Sequence, residues 1–574
     1  MYRNLKAKLT KRDQGTRSAE ELSDSTDKDS VESSLESPEI IVDSNNILKA
    51  PGVESVKKPR IKILGVTKVE KRNPSTPQSL ASGVDSKELN PLKILEYFAR
   101  VSPESVAIIN EKRTLTFEQL NIVVRQFALK FKVSGIEPGD FVVTKLPITL
   151  DWISTLALMS IGAISSSKAG RSLIDASFNA RFLISDGSLI WQRTETIIIS
   201  DAWLHEAEQL DTNQLVQMDP DIELPMRVIF TNGTLSNPKA VGLSLKAINE
   251  RTTQNNRTWL NEKSVMTLMD LSSGLGFFTF YSLFIRGEKI VTTSQFNLDV
   301  VRMALSQEVE VFVASTLRVV QLMELIKRTQ STLPKLRKVI ISGNIPTLVL
   351  LQRMEKALGV EVLNIYGSTE CGDISLLPVN SHTEAGDLGW IYPHTQVQVF
   401  NAQGDAVAPG QQGRIATRST TMVHEYFRTA LPNRKVFDDG WFFSGDLGSV
   451  SEDGRLVITG RESELISVGK LKVNSQSIEE LVLDYAGVVD CAAFAFTSTS
   501  KVPSLGVAIV GDRDLNLKIM TDSLKRELGE MAPTTYFLTE SIPRDVNGKV
   551  EMVLLLKALN EKIATKGREK GAAQ

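Results

Sequence analysis

Hydrophobic and polar positions first alternate in a regular way near residue 91. Ile94, Phe98 and Val101 recur every three to four residues, which is typical of an amphipathic helix. The segment Leu115-Thr116-Phe117-Glu118-Gln119-Leu120 has the pattern of a strand end that leads into a second amphipathic helix. The pattern therefore predicts globular structure from about residue 91 onward.

Further along, short apolar strands alternate with helical stretches of about 10 to 15 residues. The clearest predicted strands are Phe141-Val142-Val143, Arg227-Val228-Ile229-Phe230, Val311-Phe312-Val313 and Lys338-Val339-Ile340-Ile341. Strands that alternate with helices form βαβ units, whose strands run parallel to each other. The sequence thus predicts an α/β fold with mostly parallel β-sheets flanked by helices.

Changes in composition divide the chain into four segments. Residues 1–90 are rich in Ser, Asp, Glu and Lys and poor in aromatic residues, so we expect a disordered, low-complexity arm. Residues 91–460 are predicted to form one large N-terminal domain. Residues 461–560 are predicted to form a small, mobile α+β C-terminal domain, and residues 561–574 a charged tail.

Composition narrows the class of protein. With 574 residues, 42% of them hydrophobic, the chain can bury more than one core. A net charge of -2 provides no field for nucleic acid, and no apolar run has the length of a transmembrane segment. Two cysteines and four histidines suit neither a disulfide framework nor a zinc site. We expect a cytoplasmic protein, because the start, Met1 to Lys11, lacks the apolar core of a signal peptide.

Candidate chemistry begins where one predicted strand ends. Arg227 to Phe230 leads directly into Thr231-Asn232-Gly233-Thr234-Leu235-Ser236-Asn237-Pro238-Lys239. Hydroxyl groups, free backbone N–H groups and one ammonium group suit phosphate oxygens. The segment lacks the Gly-Lys-Ser/Thr ending of a Walker loop. An ordinary polar connection between a strand and a helix is the alternative interpretation.

Two further polar segments follow strands. Asn364-Ile365-Tyr366-Gly367-Ser368-Thr369-Glu370 comes after the Gly-containing segment Ile341-Ser342-Gly343. Trp441-Phe442-Phe443-Ser444-Gly445-Asp446-Leu447 precedes an Asp453-Gly454 turn, which is typical of a β-hairpin, and Gly460-Arg461 follows. Glu370 and Asp446 supply carboxylate oxygen atoms, which can bind a cation or accept hydrogen bonds from hydroxyl groups.

The last segment with candidate chemistry is Pro543-Arg544-Asp545-Val546-Asn547-Gly548-Lys549-Val550. It presents Lys549 on a short turn punctuated by Pro and Gly. In their order and spacing, the four segments resemble those of the adenylate-forming superfamily of acyl-CoA synthetases, luciferases and nonribosomal peptide adenylation domains, over roughly residues 91 to 560. The acyl-CoA synthetase branch fits best.

This resemblance implies a role for each candidate residue. Lys549 is expected to be the catalytic lysine, Thr369 to contact the α-phosphate and Glu370 to hold Mg²⁺, while Tyr366 stacks on the adenine. Asp446 is expected to bind both ribose hydroxyls, and Arg461 the ribose and α-phosphate. The remaining nucleotide-binding residues that it implies are Thr231, Asn232, Gly233, Thr234, Lys239, Gly343, Gly367 and Ser368.

Several positions depart from the family pattern. Leu235, Ser236 and Ala240 replace Thr, Gly and Gly of the phosphate loop. Ser463 and Lys470 alter the region between the predicted domains. Ser272 and Ser273 stand where related acyl-CoA synthetases have two histidines at the acid tunnel, and the aromatic run Phe277 to Tyr281 fits either a tunnel wall or a core helix.

The resemblance implies that a carboxylic acid and ATP give an acyl-adenylate and pyrophosphate. The acyl group then passes to a thiol, either coenzyme A or the phosphopantetheine of an acyl carrier protein. One alternative is a degenerate member that binds nucleotide without turnover, which the altered phosphate loop and missing histidines favour. Another alternative is amino-acid adenylation in a peptide-synthetase-like pathway. Cys371 has no histidine near it in the sequence to activate it, so we expect a buried, inert thiol.

Overall fold

The structure is a computed structural model. It describes residues 90–167, 179–191, 194–215, 221–231, 239–258, 260–293, 295–343, 345–428, 435–462, 465–468, 471–483, 485–497, 503–513, 515–544 and 550–559. Four predicted site residues, Asn232, Gly233, Thr234 and Lys549, lie outside these ranges, as does the predicted arm up to residue 89.

Two capped helices open the described part of the chain. In α1 (Pro91–Val101) the side chain of Asn90 accepts a backbone N–H of the first turn. α2 (Phe117–Val133) begins with a capping box, in which Thr116 and Gln119 each bond the backbone N–H of the other. Between the helices lies the hairpin of β1 (Val106–Ile109) and β2 (Thr114–Thr116).

A six-stranded sheet follows. Its strands are β3 (Phe141–Lys145), β4 (Ile164–Ser167), β5 (Phe182–Ser185), β6 (Glu195–Ile198), β7 (Pro225–Thr231) and β8 (Lys239–Ser244). Within the same stretch lie the helices α3 (Ile148–Ser160) and α4 (Asp201–Glu208) and the 3₁₀ turn Thr212–Gln214. The strand order is β6-β5-β3-β4-β7-β8, and each pair is parallel except the hairpin of β7 with β8. The predicted phosphate loop therefore connects two antiparallel strands and not a strand with a helix.

The second sheet has a parallel half. Its strands there are β1 with β9 (Val265–Thr267), β10 (Ile290–Val291), β11 (Val311–Ser315), β12 (Lys338–Ser342) and β13 (Glu361–Ser368). The helices of this region are α5 (Leu245–Thr258), α6 (Gly274–Ile285), α7 (Leu298–Ser306), α8 (Thr316–Thr329) and α9 (Leu348–Leu358). Because β9, β11, β12 and β13 are parallel neighbours, their carboxyl ends meet at one edge.

From β13 onward the same sheet is antiparallel. It continues through β14 (Gly372–Pro378), β15 (Asp387–Ile391), β16 (Thr395–Phe400), β17 (Gly413–Ser419), β18 (Phe437–Asp438), β19 (Trp441–Val450) and β20 (Arg455–Arg461). The predicted Asp453-Gly454 hairpin is present between β19 and β20, and Gly454 has the positive φ of 81° that such a turn requires. β13 is thus the strand at which the sheet changes from parallel to antiparallel pairing.

The C-terminal residues form smaller units. Their elements are β21 (Leu465–Val468), β22 (Leu471–Asn474), α10 (Ser475–Leu483), β23 (Val488–Thr497), β24 (Pro503–Gly511), α11 (Leu517–Leu528), the 3₁₀ turn Gly529–Met531 and β25 (Thr535–Leu538). Residues 552–559 are also helical. One face of the β23-β24-β25 sheet buries Ile478, Val482 and Leu524, and a second core contains Phe494, Phe537 and Leu555.

The predicted α/β class is confirmed, with the antiparallel half of the large sheet as an addition. The predicted domain boundaries stay predictions. Among the described helices, none combines the length and the apolar character that crossing a lipid bilayer demands.

Candidate active site

The end of β13 carries Tyr366, Gly367 and Ser368, and the turn that follows carries Thr369 and Glu370. Gly367 lies so close to β14 that a Cβ atom there would stand 2.6 Å from the Gly372 carbonyl oxygen. The Cys371 N–H donates to the Ser368 hydroxyl at 3.0 Å and so tightens the reversal. Glycine and serine at these positions therefore serve the tight return of the chain into β14.

Glu370 is a buried carboxylate with two named neighbours. The Tyr426 hydroxyl donates to Glu370 Oε1 at 2.9 Å, and Lys239 Nζ lies 5.2 Å from the centroid of the Tyr426 ring. Burial raises the pKa of the Glu370 carboxyl, while Tyr426, Lys239 and Arg461 act in the opposite direction. The group is a hard oxygen donor held where a cation would offset its loss of hydration.

Tyr366, Asp446 and Arg461 come together on three strands. Asp446 on β19 lies directly opposite Arg461 on β20, and Arg461 Nε is 2.9 Å from Asp446 Oδ1. The Tyr366 hydroxyl donates to Asp446 Oδ2. Burial and the Asp446 charge hold the pKa of Tyr366 well above its ordinary value, so the phenol stays a donor. Three residues predicted from two separate segments thus form one connected group.

Thr231 and Lys239 face each other at the end of the β7–β8 hairpin. The Thr231 hydroxyl approaches the Lys239 carbonyl oxygen at 3.5 Å. These two residues frame the predicted phosphate loop, whose central positions lie outside the described residues. Gly343 follows β12 with a φ of 111°, in the region that favours glycine, at the edge where the parallel strands end.

The N-terminus of α6 also reaches this group of residues. A Cβ atom on Gly274 would lie 3.8 Å from Thr369 Oγ1, so the start of α6 adjoins the turn. Ser273 is the N-cap of α6, and its hydroxyl accepts the Gly276 N–H at 3.1 Å. Ser273 therefore stabilises the helix start and cannot take over the acid–base chemistry of a histidine.

The aromatic run proves to be a core helix. Phe277, Phe280 and Tyr281 are fully buried, and the Tyr281 hydroxyl donates to Asn249 Oδ1 at 3.1 Å. The tunnel-wall interpretation therefore fails for these three residues. Cys371 is buried as predicted, and burial raises the pKa of its thiol, which leaves it mostly protonated.

Sequence reasoning missed Tyr426 and Arg251. Tyr426 lies 56 positions from the carboxylate it contacts, and Arg251 contacts the same turn from α5. The only signal in the sequence is the presence of Arg251 in the middle of an amphipathic helix, which is more often a sign of a solvated side chain. Neither residue belongs to a segment that the spacing argument selected.

The predicted magnesium ligand is a single carboxylate. Within the described ranges, no group of three or more His, Cys, Asp or Glu side chains could hold a metal ion. One buried carboxylate with a raised pKa suits Mg²⁺ that arrives bound to nucleotide phosphates and keeps most of its other ligands. The donor set therefore fits a magnesium–nucleotide complex.

Comparisons with known proteins give the family of this chain. A sequence model of the AMP-binding enzyme family matches residues 95–427, more than half of the chain. The 4-chlorobenzoate–CoA ligase of Arthrobacter sp is 25% identical over 489 residues, 80% of this chain and 93% of that protein. The chalcone synthase cfoA of Aspergillus candidus is 26% identical over 82% of this chain, which spans only 19% of that much longer protein.

Solved structures show the same fold. The o-succinylbenzoate CoA synthetase of Bacillus subtilis in complex with ATP and magnesium ion has a TM-score of 0.69 at 20% identity, covering 80% of this chain and 98% of that one. The same enzyme has been solved with its acyl-adenylate intermediate, again with a TM-score of 0.69. Because the family model covers more than half of the chain, this chain belongs to the AMP-binding enzyme family.

Proposed function

We propose that this protein activates a carboxylic acid as an acyl-adenylate, releases pyrophosphate and then transfers the acyl group to a thiol. The proposal rests mainly on one observation. The side chains of Tyr366, Asp446 and Arg461 contact one another beside the turn that holds Glu370. A carboxylate opposite a guanidinium group suits a ribose diol next to a phosphate. The site therefore suits a ribonucleotide, and ATP is the one that the proposed reaction requires.

Each described residue has a task in the first half-reaction. Asp446 accepts the ribose hydroxyls, Arg461 faces the ribose and α-phosphate, and Tyr366 stacks on the adenine. Thr369 directs its hydroxyl at the α-phosphate, and Thr231 and Lys239 hold the ends of the phosphate loop. Glu370 would hold Mg²⁺, which when bound neutralises phosphate charge.

Lys549 is assigned the catalytic role in this proposal. A carboxylate that attacks a phosphate brings two anions together, and negative charge grows on the α-phosphoryl oxygens in the transition state. A cation placed there stabilises the transition state more than the ground state. Arg544 and Val550, which flank positions 545–549, pair with each other as an isolated β-bridge, so both ends of this short segment are fixed.

The acid and the thiol are assigned by chemical class only. Ser273 and Gly274 begin α6 beside Thr369, so the acid carboxylate would approach past a neutral helix N-terminus with no histidine. Two CoA ligases among the relatives act on aromatic acids, as their names state, and another relative is named a fatty acid–acyl-carrier-protein ligase. Both coenzyme A and carrier-protein phosphopantetheine are therefore candidate acceptors.

ATP–pyrophosphate exchange across a panel of aryl, fatty and amino acids tests the proposal. We expect exchange with at least one aryl or fatty acid, and Lys549→Ala should lower it by about 100- to 1000-fold, as does loss of one transition-state donor elsewhere. ATP binding and thiol transfer from supplied acyl-adenylate should stay within about twofold of wild type, because Lys549 acts on the adenylation transition state.

Three results would point elsewhere. Measurable ATP binding with no exchange for any acid would support a nucleotide-binding protein without turnover. Exchange driven only by amino acids would support the peptide-synthetase-like alternative. Equal loss of both half-reactions in Lys549→Ala would assign Lys549 to the fold and not to catalysis.

A further inference from the structure

Arg251 is a buried arginine on α5 that contacts the backbone of the Glu370 turn. Its side chain is 3% exposed. Nη1 donates to the Thr369 carbonyl oxygen at 2.9 Å, and Nη2 donates to the Glu370 carbonyl oxygen at 3.1 Å. The same guanidinium group donates to the Thr421 carbonyl at 2.7 Å and to the Thr421 hydroxyl at 3.3 Å. One side chain thus joins α5 to two distant segments.

The neighbouring carbonyl groups are held in the same way. The Glu370 carbonyl also accepts the Val423 N–H at 2.9 Å, and the Cys371 carbonyl accepts the Ser419 hydroxyl at 2.8 Å. Three consecutive carbonyl groups, from Thr369 to Cys371, are therefore bonded from outside the turn. Four donors on two chain segments fix the backbone from which the Thr369 and Glu370 side chains project.

Burying this guanidinium group is costly. Loss of hydration lowers the pKa of Arg251, and the cation is compensated by carbonyl oxygens and by the Phe278 ring, whose centroid lies 5.8 Å away. An apolar side chain at this position would avoid the cost of burying a charge but would remove the donors to the Thr369 and Thr421 carbonyl groups. An arginine there is therefore better explained by the fork of donors that it offers to two adjacent carbonyl groups.

Glu370 is restrained from both of its ends. Arg251 holds its backbone carbonyl, and Tyr426 holds its carboxylate by the 2.9 Å hydrogen bond. Tyr426 follows Thr421 by only five positions, so the segment to which Arg251 donates hydrogen bonds also carries Tyr426, the donor to Glu370. Movement of Arg251 would displace both supports of the carboxylate at once.

We propose that Arg251 is a positioning residue that sets the Thr369 hydroxyl and the Glu370 carboxylate for the magnesium–ATP complex. The inference rests on the proposed function, since it assumes that this turn binds that complex. Arg251 contacts neither nucleotide nor metal in this assignment. It acts through the backbone carbonyl groups that it holds.

Arg251→Lys is the variant that tests the proposal, because lysine keeps the charge but cannot bond both carbonyl groups in one plane. ATP–pyrophosphate exchange should fall by about 100-fold, the effect of misplacing reacting groups by about 1 Å. Calorimetric binding of ATP should weaken strongly when magnesium is present and only slightly when magnesium is removed by a chelator, because the Thr369 contact alone is then affected. Arg251→Gln serves as a second variant if the lysine variant does not fold.

Arg286→Lys is a matched control. Arg286 follows α6 at the end opposite Gly274 and donates to the carbonyl groups of Leu260 and Glu262. Its replacement also removes a guanidinium group that donates to two backbone carbonyl groups, but far from the Glu370 turn. It should lower the unfolding temperature without a magnesium-dependent change in ATP binding.

The outcomes separate the two proposals. If the Arg251 and Arg286 variants change ATP binding equally, with and without magnesium, Arg251 has only a structural role. If the wild type shows no exchange with any acid, the proposed function fails. The magnesium-dependent difference in ATP binding between Arg251→Lys and wild type still decides the role of Arg251 in that case.

Discussion

Glu370 shows how one residue can affect stability and chemistry in opposite directions. Its carboxyl group is buried, and burial raises its pKa above the ordinary value. Tyr426 satisfies one carboxylate oxygen with a 2.9 Å hydrogen bond. The same burial that makes the ionised group unfavourable in the free protein increases its attraction for a cation.

Glu370→Gln should therefore stabilise the metal-free protein at neutral pH while it lowers exchange activity by about 100-fold or more. When folding raises the pKa of a carboxyl group, the folded protein becomes less stable as the pH rises above the ordinary Glu pKa, near 4.3. The gain in unfolding temperature of the variant should thus shrink as the pH falls toward about 4. Thermal unfolding in chelator, measured from about pH 4 to pH 8, checks this.

Glu452→Gln is the control for this experiment, because Glu452 is exposed and lies outside the site. Its unfolding temperature should follow that of the wild type across the same pH range. A Glu370→Gln protein that is less stable than wild type at pH 7 would mean that the ionised carboxylate supports the fold.

At the level of elements, arginine side chains connect the strands that lead to the site with neighbouring segments. β7 leads into the predicted phosphate loop, and its buried Arg227 donates to the Ser167 hydroxyl at 2.7 Å and to the Leu271 carbonyl at 2.5 Å. Arg227 thus connects β7 with the segment before α6.

An arginine also forms a two-bond contact at the C-terminal sheet. Arg544 donates from Nε and Nη2 to the Asp490 carboxylate, at 3.1 and 2.6 Å.

Arg544→Lys should lower exchange by about 10- to 100-fold, because lysine cannot keep both bonds to Asp490 and the flank of positions 545–549 loses its fixed place. Exchange and thiol transfer from supplied acyl-adenylate should be measured separately. Asp490→Asn should have a similar effect, and combining both changes should add little, since each breaks the same pair.

Arg455→Lys provides the comparison for Arg544→Lys. Arg455 also forms a two-bond pair with a carboxylate, Asp387, between β15 and β20 and away from the C-terminal sheet. Its replacement should cost stability but leave the ratio of the two half-reactions unchanged. A similar ratio for both variants would show that the Arg544–Asp490 pair acts only on folding.

Much of this site was predictable from the sequence, because its residues sit in short segments whose order carries information. Tyr366 was assigned from one segment and Asp446 and Arg461 from another, and the structure brings all three together. Arg251 and Tyr426 were not found, since a single buried side chain gives no sign in the sequence of a partner 119 or 56 positions away. The antiparallel half of the large sheet was also missed, apart from the Asp453-Gly454 hairpin.

At the scale of the whole molecule, the larger sheets and the C-terminal sheet have cores that share no residue among those described. The family match begins at residue 95 and the first described helix begins at Pro91. The residues of the proposed site that the structure describes all lie after this point. Catalysis should therefore be a property of the chain from about residue 91 onward.

Deleting residues 1–85 should leave exchange activity within about twofold and the unfolding temperature nearly unchanged, because the core and site residues named above are all retained. Exchange kinetics and thermal unfolding of the shortened protein check this. Localisation of both forms, compared in parallel, would separate a targeting role of the arm from a role in catalysis. A large loss of exchange would place part of the active site in the first 85 residues.

The β7–β8 hairpin has a consequence for how this protein can change over evolution. Thr231 and Lys239 are paired across the two strands, so the ladder of hydrogen bonds already brings the ends of the phosphate loop together. Pairing of the two strands offsets the entropy cost of closing the loop, whatever residues lie between them. Substitutions such as Leu235 and Ser236 are therefore expected to cost the fold little, so the binding chemistry of the predicted phosphate loop can change independently of the fold.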